Sequence, residues 1–339
     1  MQYSTFFSVL ALFLYSCSGM QDMRMDHHSS PEPAVITFGS CSKLNKPQLL
    51  WDDIAAESPD AFVWLGDIIY GDTEDMELLQ NKYKAQKAKP EYAALRRKTG
   101  IYGIWDDHDY GKNDGGKEYP KKDESKEILF DFLDIHPDNP ARQHQGVYQD
   151  YILDKHSLKI HLILLDERYF RDSLERPNGV YQPNDTGTIL GETQWKWLAQ
   201  TLDNSPADVV LIGSGTQVFP EEHRFEKWAN FPRERTRLIR LLEASQKPVI
   251  ILSGDRHFGE ISMFPSKGKY PIYEVTSSSL THTFPVRDEP NKYRLGQPVT
   301  INNYGVVKVT NTKDQLQVVL QLKADNGQTV EEHTLFYKH

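Results

Sequence analysis

The sequence predicts an α/β fold on three observations. Short apolar runs alternate with helical stretches from residue 34 to residue 257. Most of those runs stop in Asp, His or Cys, just after or beside a Gly. A β-rich segment follows to the end, with no repeat and no low-complexity linker inside 34–339. One domain whose later strands are antiparallel accounts for all three.

Residues 34–41 (AVITFGSC) read as a strand ending at Gly39-Ser40-Cys41, and 47–57 as a helix. The near-continuous apolar run 61–72 suits a strand buried on both faces, broken at Gly66-Asp67. Residues 74–98 read as helical with an interruption at Pro90, 101–109 as a strand entering an acidic cluster, and the stretch near 124–135 as a helix. Strands at 158–168, 208–218 and 248–257 alternate with helices at 192–203 and 232–245. Further β segments are expected at 260–265, 270–277, 304–310, 315–323 and 329–337.

The first 33 residues follow other rules. The apolar run 5–14 is too short to span a bilayer, and small residues follow it, as in an export signal. Leu14-Tyr15-Ser16-Cys17 resembles the lipobox of bacterial lipoproteins, although no Lys or Arg precedes the apolar run. Residues 1–16 are therefore expected to be a lipoprotein-type signal, Cys17 its lipidated residue and 17–33 a polar tether; an ordinary cleaved signal is the alternative. The expected location is outside the cell membrane, periplasmic or at the surface, on a lipid anchor. His27 and His28 read as solvated tether residues. Lipidation would consume one of only two cysteines and leave Cys41 as a lone thiol, buried or bound to metal; a Cys17–Cys41 disulfide is the rival.

Composition narrows the function. The chain has 339 residues, 38% of them hydrophobic, enough for a sizeable core. Lys and Arg total 39 against 48 Asp and Glu, a net charge of −9, and no Lys/Arg run suited to gripping nucleic acid occurs. Ligands of open α/β sheets bind beyond the carboxyl ends of strands. Cys41, Asp67, Asp107, His108, Asp255 and His257 all fall at such ends. Carboxylates and imidazoles gathered there need compensation, and a shared cation supplies it simply.

Three motifs sharpen this. In Gly66-Asp67-Ile68-Ile69-Tyr70, the Asp can bridge two cations and the Tyr can bind as phenolate, which favours a trivalent ion. Trp105-Asp106-Asp107-His108-Asp109 sets an imidazole beside carboxylates. Gly254-Asp255-Arg256-His257 places a carboxylate and an imidazole two residues apart, on one face if the chain is extended. The bland alternative makes Cys41 a small buried hydrophobe and Tyr70 a core aromatic. Gly213-Ser214-Gly215-Thr216 lacks the Lys of a P-loop and reads as a close-packed strand end near the site.

Together these motifs resemble the metallophosphoesterases, and among them the alkaline phosphatase D (PhoD-like) family. The resemblance is carried by 38–43, 64–73, 104–114, 164–172, 191–198 and 253–261 and spans roughly 35–310. It implies a layered αββα sandwich with mixed sheets, in the short branch without an N-terminal β-sandwich domain. It further implies Fe3+ held by Cys41, Tyr70 and His257, Asp67 as the bridge, and Ca2+ held by Asp107 and Asp255. Zn2+, Mn2+ or Mg2+ are alternatives. Asn113 lies in the family's acidic loop, with Asp72, Asp109 and Asp114 as supporting or extra calcium positions. His108 is placed beside the scissile phosphate, and Arg168 either contacts phosphate or forms a surface ion pair. The implied activity is hydrolysis of small phosphate mono- or diesters by in-line attack of a metal-bound hydroxide, in a chain expected to be monomeric. A phospholipase of the same fold, marked by an exposed apolar rim, and a non-catalytic surface-binding lipoprotein with a vestigial site are the alternatives.

Overall fold

The computed structural model describes Met1, residues 32–155, 157–286 and 289–338. Cys17, His27, His28 and the expected signal and tether lie outside the described residues, apart from Met1, Glu32 and Pro33.

The first sheet holds β1 (Ala34–Gly39), β2 (Ala61–Leu65) and β3 (Gly100–Ile104), all parallel. The second holds β4 (Gln149–Lys155), β5 (Leu158–Leu164), β6 (Val209–Ser214), β7 (Val249–Ser253), β8 (Gly259–Phe264), β9 (Ile272–Ser277) and β10 (Arg294–Val299). The chain then returns to the first sheet through β11 (Tyr304–Asn311), β12 (Gln315–Lys323) and β13 (Thr329–Lys338), with β11 antiparallel to β1. The strand orders are β13-β12-β11-β1-β2-β3 and β10-β8-β9-β7-β6-β5-β4. Both sheets are mixed, since β5, β6, β7 and β9 run parallel while β4, β8 and β10 run antiparallel to their neighbours. The expectation that all late strands are antiparallel therefore fails at β9 alone.

Helices α1 (Trp51–Ala56), α2 (Met76–Lys87), α3 (Pro90–Arg96), α4 (Asp107–Tyr110) and α5 (Lys122–Phe132) precede β4; α6 (Gly191–Asp203) and α7 (Pro232–Ala244) flank β6. Alternation along each strand makes the layers. On β6, Val209 and Leu211 enter the core shared by the sheets, whereas Val210 and Ile212 pack against α6 and α7. On β2, Phe62 meets Trp51, and Trp64 meets Trp51 and Tyr92, with ring centroids 5.3 to 5.6 Å apart. Each such pair adds about 0.5–1.5 kcal/mol beyond its buried area. The sheets approach closely at Gly213, where a Cβ would sit 3.3 Å from Leu65. The αββα sandwich is thus the observed architecture.

The expected strands are present but overrun. Strand 61–72 stops at Leu65, and 101–109 stops at Ile104 before a short helix at Asp107–Tyr110. The residues past each break form loops at the carboxyl ends of β2 and β3. Two strands escaped the sequence reading. β4 (QDYILDK) is half exposed, and β10 (RLGQPV) contains Gly and Pro; both are edge strands, where such residues are tolerated.

Candidate metal centre

The carboxyl ends of β1, β2, β3 and β7 converge on one cavity of about 760 Å³. Asp67, Tyr70, Asp107, His108, Asn113, Asp255 and His257 line it. Its floor is built by sharp turns at the strand ends. Cys41, Asp67, Asp255 and His257 have φ of 61°, 50°, 67° and 57°, in the left-handed region. Four such residues at one spot are backbone strain concentrated at a site. Gly66 (φ 83°) makes the turn into Asp67, and a Cβ there would fall 2.3 Å from that of Asp106. The extended geometry expected for 254–257 is therefore incorrect. β7 ends at Ser253, and the left-handed turn brings Asp255 and His257 to the same cavity.

Three groups could each hold a cation, with donor atoms within 4.8 Å of one another: Cys41, Asp67 and His257; Asp67, Asp107 and His108; and Asp107, Asp114 and Glu226. Asp67 belongs to the first two, which is the geometry of a bridge. Asp67 Oδ2 accepts hydrogen bonds from the Cys41 thiol (3.4 Å) and the Tyr70 hydroxyl (3.1 Å). Tyr70 Oη also lies 3.2 Å from His257 Nε2 and 3.3 Å from His282 Nε2. The Cys41 thiol is free and buried. The loop after β9 ties this corner together, because Thr281 Oγ1 accepts from Lys43 N (2.9 Å) and donates to the Cys41 carbonyl (3.0 Å).

The protonation energetics fit a bound cation. Burial, then the charges of Asp107, Asp109 and Asp255, push Asp67 far above the usual carboxylate range. Asp255 is raised to about 7, first by burial and then by Glu226 and Asp107. Burial and the neighbouring carboxylates also raise Cys41 and Tyr70, while burial drives His257 down to about 3. Asp67 Oδ1 and His257 Nδ1 are buried without a hydrogen-bond partner among the described residues. Cations here would offset the penalties on the anionic forms of Asp67, Asp255, Cys41 and Tyr70, and the His257 imidazole, held neutral, keeps a nitrogen able to bind one. Thiolate, phenolate and imidazole suit iron or zinc, and the oxygen-rich carboxylates suit calcium, magnesium or manganese.

His108 is set apart by its partner. Burial opposes its charge, but hydrogen bonds from Nδ1 to both Asp72 oxygens (2.8 Å each) and the charges of Asp107 and Asp67 raise it to about 10. Asp72 thus orients His108. Asp109 is not in the cavity; its carboxylate accepts from Asp106 N (2.6 Å) and Ile68 N (3.1 Å), fixing the turn. Asp114 accepts from Tyr181 and pairs with Arg176 at 3.1 Å.

Arg168 departs from both of its sequence readings. It is fully buried, its Nε donates to Asp106 (2.7 Å), and Nη2 pairs with Asp106 and Glu226. With its charge so engaged and outside the cavity lining, it is neither a surface ion pair nor in reach of phosphate. Its motif is scaffold: Asp166 accepts from Trp105 Nε1 (2.9 Å) and Val147 N (2.8 Å), and Glu167 from Thr216 and Trp228. Sequence reasoning missed Glu226, in a charged loop without a motif, and His282. The latter follows the polar run Ser277–Ser279, the single hint that this loop returns to the site.

A profile of the family described as PhoD-like phosphatase matches residues 36–330. Among solved structures, PhoD aligns with a TM-score of 0.71 at 16% identity, covering 91% of this chain and 69% of that one. Purple acid phosphatase PPD1 from yellow lupin (Lupinus luteus) seeds aligns at 0.61 and 13%, covering 91% and 54%. A dimetal phosphatase from Danio rerio aligns at 0.55 and 15%, covering 91% and 100%. No curated protein matches the chain.

Proposed function

The chain belongs to the PhoD-like phosphatase family of metal-dependent phosphoester hydrolases, and we propose that it cleaves small phosphate mono- or diesters at the cavity floored by Asp67. The observation that carries this reading is the Asp67 carboxylate, which keeps one buried oxygen without a partner among the described residues and belongs to two clusters of metal-type donors. In this reading Cys41, Asp67, Tyr70 and His257 hold a ferric ion, and Asp67, Asp107 and Asp255 hold calcium, with Asn113 exposed at the rim as a further contact. Bound there, the cations would neutralise phosphate charge and ease the deprotonation of water. His108 does the remaining proton work. Asp72 holds Nδ1, which leaves Nε2 to donate to the departing ester oxygen. The spacing of Leu14 to Cys17 supports delivery outside the membrane on a lipid anchor.

A second reading has a specific observation behind it. Phe284 is 52% exposed at the cavity mouth, beside Pro285 and Val286. That apolar rim favours an ester with a greasy arm, as in a phospholipase. Elemental analysis of the purified chain, beside assays of nitrophenyl phosphate, bis(nitrophenyl) phosphate and phosphatidylcholine, tests both readings. Stoichiometric metal with hydrolysis of a water-soluble ester supports the first; turnover of the lipid alone supports the second. Absence of hydrolysis in metal-replete protein would leave the non-catalytic lipoprotein. For the iron assignment, the loaded protein should be coloured, and Tyr70→Phe should shift or bleach the band. A ferric protein whose spectrum ignores Tyr70→Phe removes the phenol from the ion.

A further inference from the structure

We propose that Lys43 is the cation that selects a phosphomonoester dianion over a diester in this cavity, an inference that rests on the phosphohydrolase reading above. Four cationic side chains line the cavity besides His108 and His257, and three are engaged by the protein itself. Lys82 Nζ donates to the carbonyls of Tyr70 (2.7 Å) and Gly71 (3.0 Å). Arg176 pairs with Asp114 at 3.1 Å, and Arg256 with Glu289 at 2.5 Å. Lys43 has no carboxylate partner among the described residues. Its ammonium lies over the Tyr70 ring, 4.6 Å from the centroid, at the edge of the proposed metal cluster.

The position is held, not incidental. Lys43 follows Cys41 by two residues, and its backbone N–H is fixed on Thr281. The side chain is half-buried, so salt screens its charge less than that of an exposed lysine. A phosphomonoester carries close to two negative charges at neutral pH, because its second ionisation falls near 6; a diester carries one. Cations on the floor would meet the first charge of either ester. An ammonium without a protein counter-ion is matched to the second charge, through a charge-assisted hydrogen bond to a non-bridging oxygen. A diester presents a second ester arm where the monoester presents that oxygen, and so gains little from Lys43.

The test uses the metal-replete full chain and its Lys43→Gln and Lys43→Arg variants, with two readouts. In the first, kcat/KM for 4-nitrophenyl phosphate should fall about tenfold or more in Lys43→Gln, the size of one charged hydrogen bond. For bis(4-nitrophenyl) phosphate the loss should stay under about threefold, and Lys43→Arg should recover most of the monoester activity. In the second, calorimetric affinity for inorganic phosphate should fall by a factor similar to that of the monoester. Equal losses on both esters, or phosphate affinity unchanged in Lys43→Gln, overturn the proposal. The second readout separates it from the activity: a wild type that cleaves neither ester yet binds phosphate through Lys43 sinks the hydrolase reading and sustains this one. A metal-loaded wild type with no affinity for phosphate overturns both.

Discussion

Two acidic sites in this molecule, Glu57 half-buried and Asp67 buried, are handled in opposite ways. Glu57, at the end of α1, is paired with Lys308 at 2.9 Å and with Lys323. Burial works against its charge, but the two lysines prevail and its carboxyl lies below its ordinary value. Asp67 sits among Asp107, Asp109 and Asp255, and its carboxyl is pushed far up. The protein builds the counter-charge into the first site and leaves it to be supplied at the second. On the proposed reading, the difference separates a carboxylate kept for architecture from one kept for chemistry.

The largest effect that could break this comparison is on catalysis. Asp67→Asn should lower kcat/KM by on the order of 10³-fold or more in metal-replete buffer, with the circular dichroism spectrum unchanged. Near-normal turnover would show that Asp67 does not hold cations together. His108→Ala comes next. Esters of weakly acidic alcohols should lose about 10²–10⁴-fold and nitrophenyl esters far less, since a good leaving group needs little protonation. A flat loss across a leaving-group series would restrict His108 to positioning.

Metal removal sharpens the comparison through pH. In the metal-free chain, Asp255 and Asp109 titrate at about 7 when folded. Between about pH 4 and 7 the folded state keeps protons that the unfolded chain has released, so stability is greatest at the acid end and falls as pH rises. Glu57 has the opposite sign: its contribution is present above its unfolded value and is lost as pH falls through its lowered folded value. His257, lowered to about 3, works the other way below about pH 6.5, and His108, raised to about 10, adds to the fall above it. Melting temperatures of chelated protein should therefore decline most clearly from about pH 6.5 to 8, and added metal should flatten the slope. A chelated protein with no such decline would mean that the cluster is already compensated. The smallest effect is expected for Glu57→Gln, about 1–2 kcal/mol of stability in urea unfolding with kcat unchanged. Loss of activity there would merge two sites that the structure keeps separate.

Much of the centre was legible because its chemistry sits where strands stop. Asp67, Asp107 and Asp255 each follow an apolar run, and carboxylates in such places have few other uses. The positions of the turns were less legible, since the apolar run 61–72 continues past Leu65 in residue type while the backbone turns at Gly66. Arg168 was misjudged because sequence shows that an arginine is charged but not which carboxylates reach it; Asp106 and Glu226 are 62 and 58 positions away along the chain. His282 and Glu226 come from loops whose destination depends on docking. β4 and β10 were hidden by polar, Gly and Pro residues that only an edge position makes acceptable.

The clasp at Thr281 has a consequence for the order in which the molecule is made. Its hydrogen bonds to Lys43 and Cys41 join residues 238 and 240 positions apart. Contacts of that span are the slowest to form, because the loop must close before they contribute. During vectorial synthesis, Cys41 and Asp67 emerge early and wait, while His257 and Thr281 arrive only after three quarters of the chain has been made. The centre is thus a late event of folding, and capture of its cations should report that the two sheets have come together.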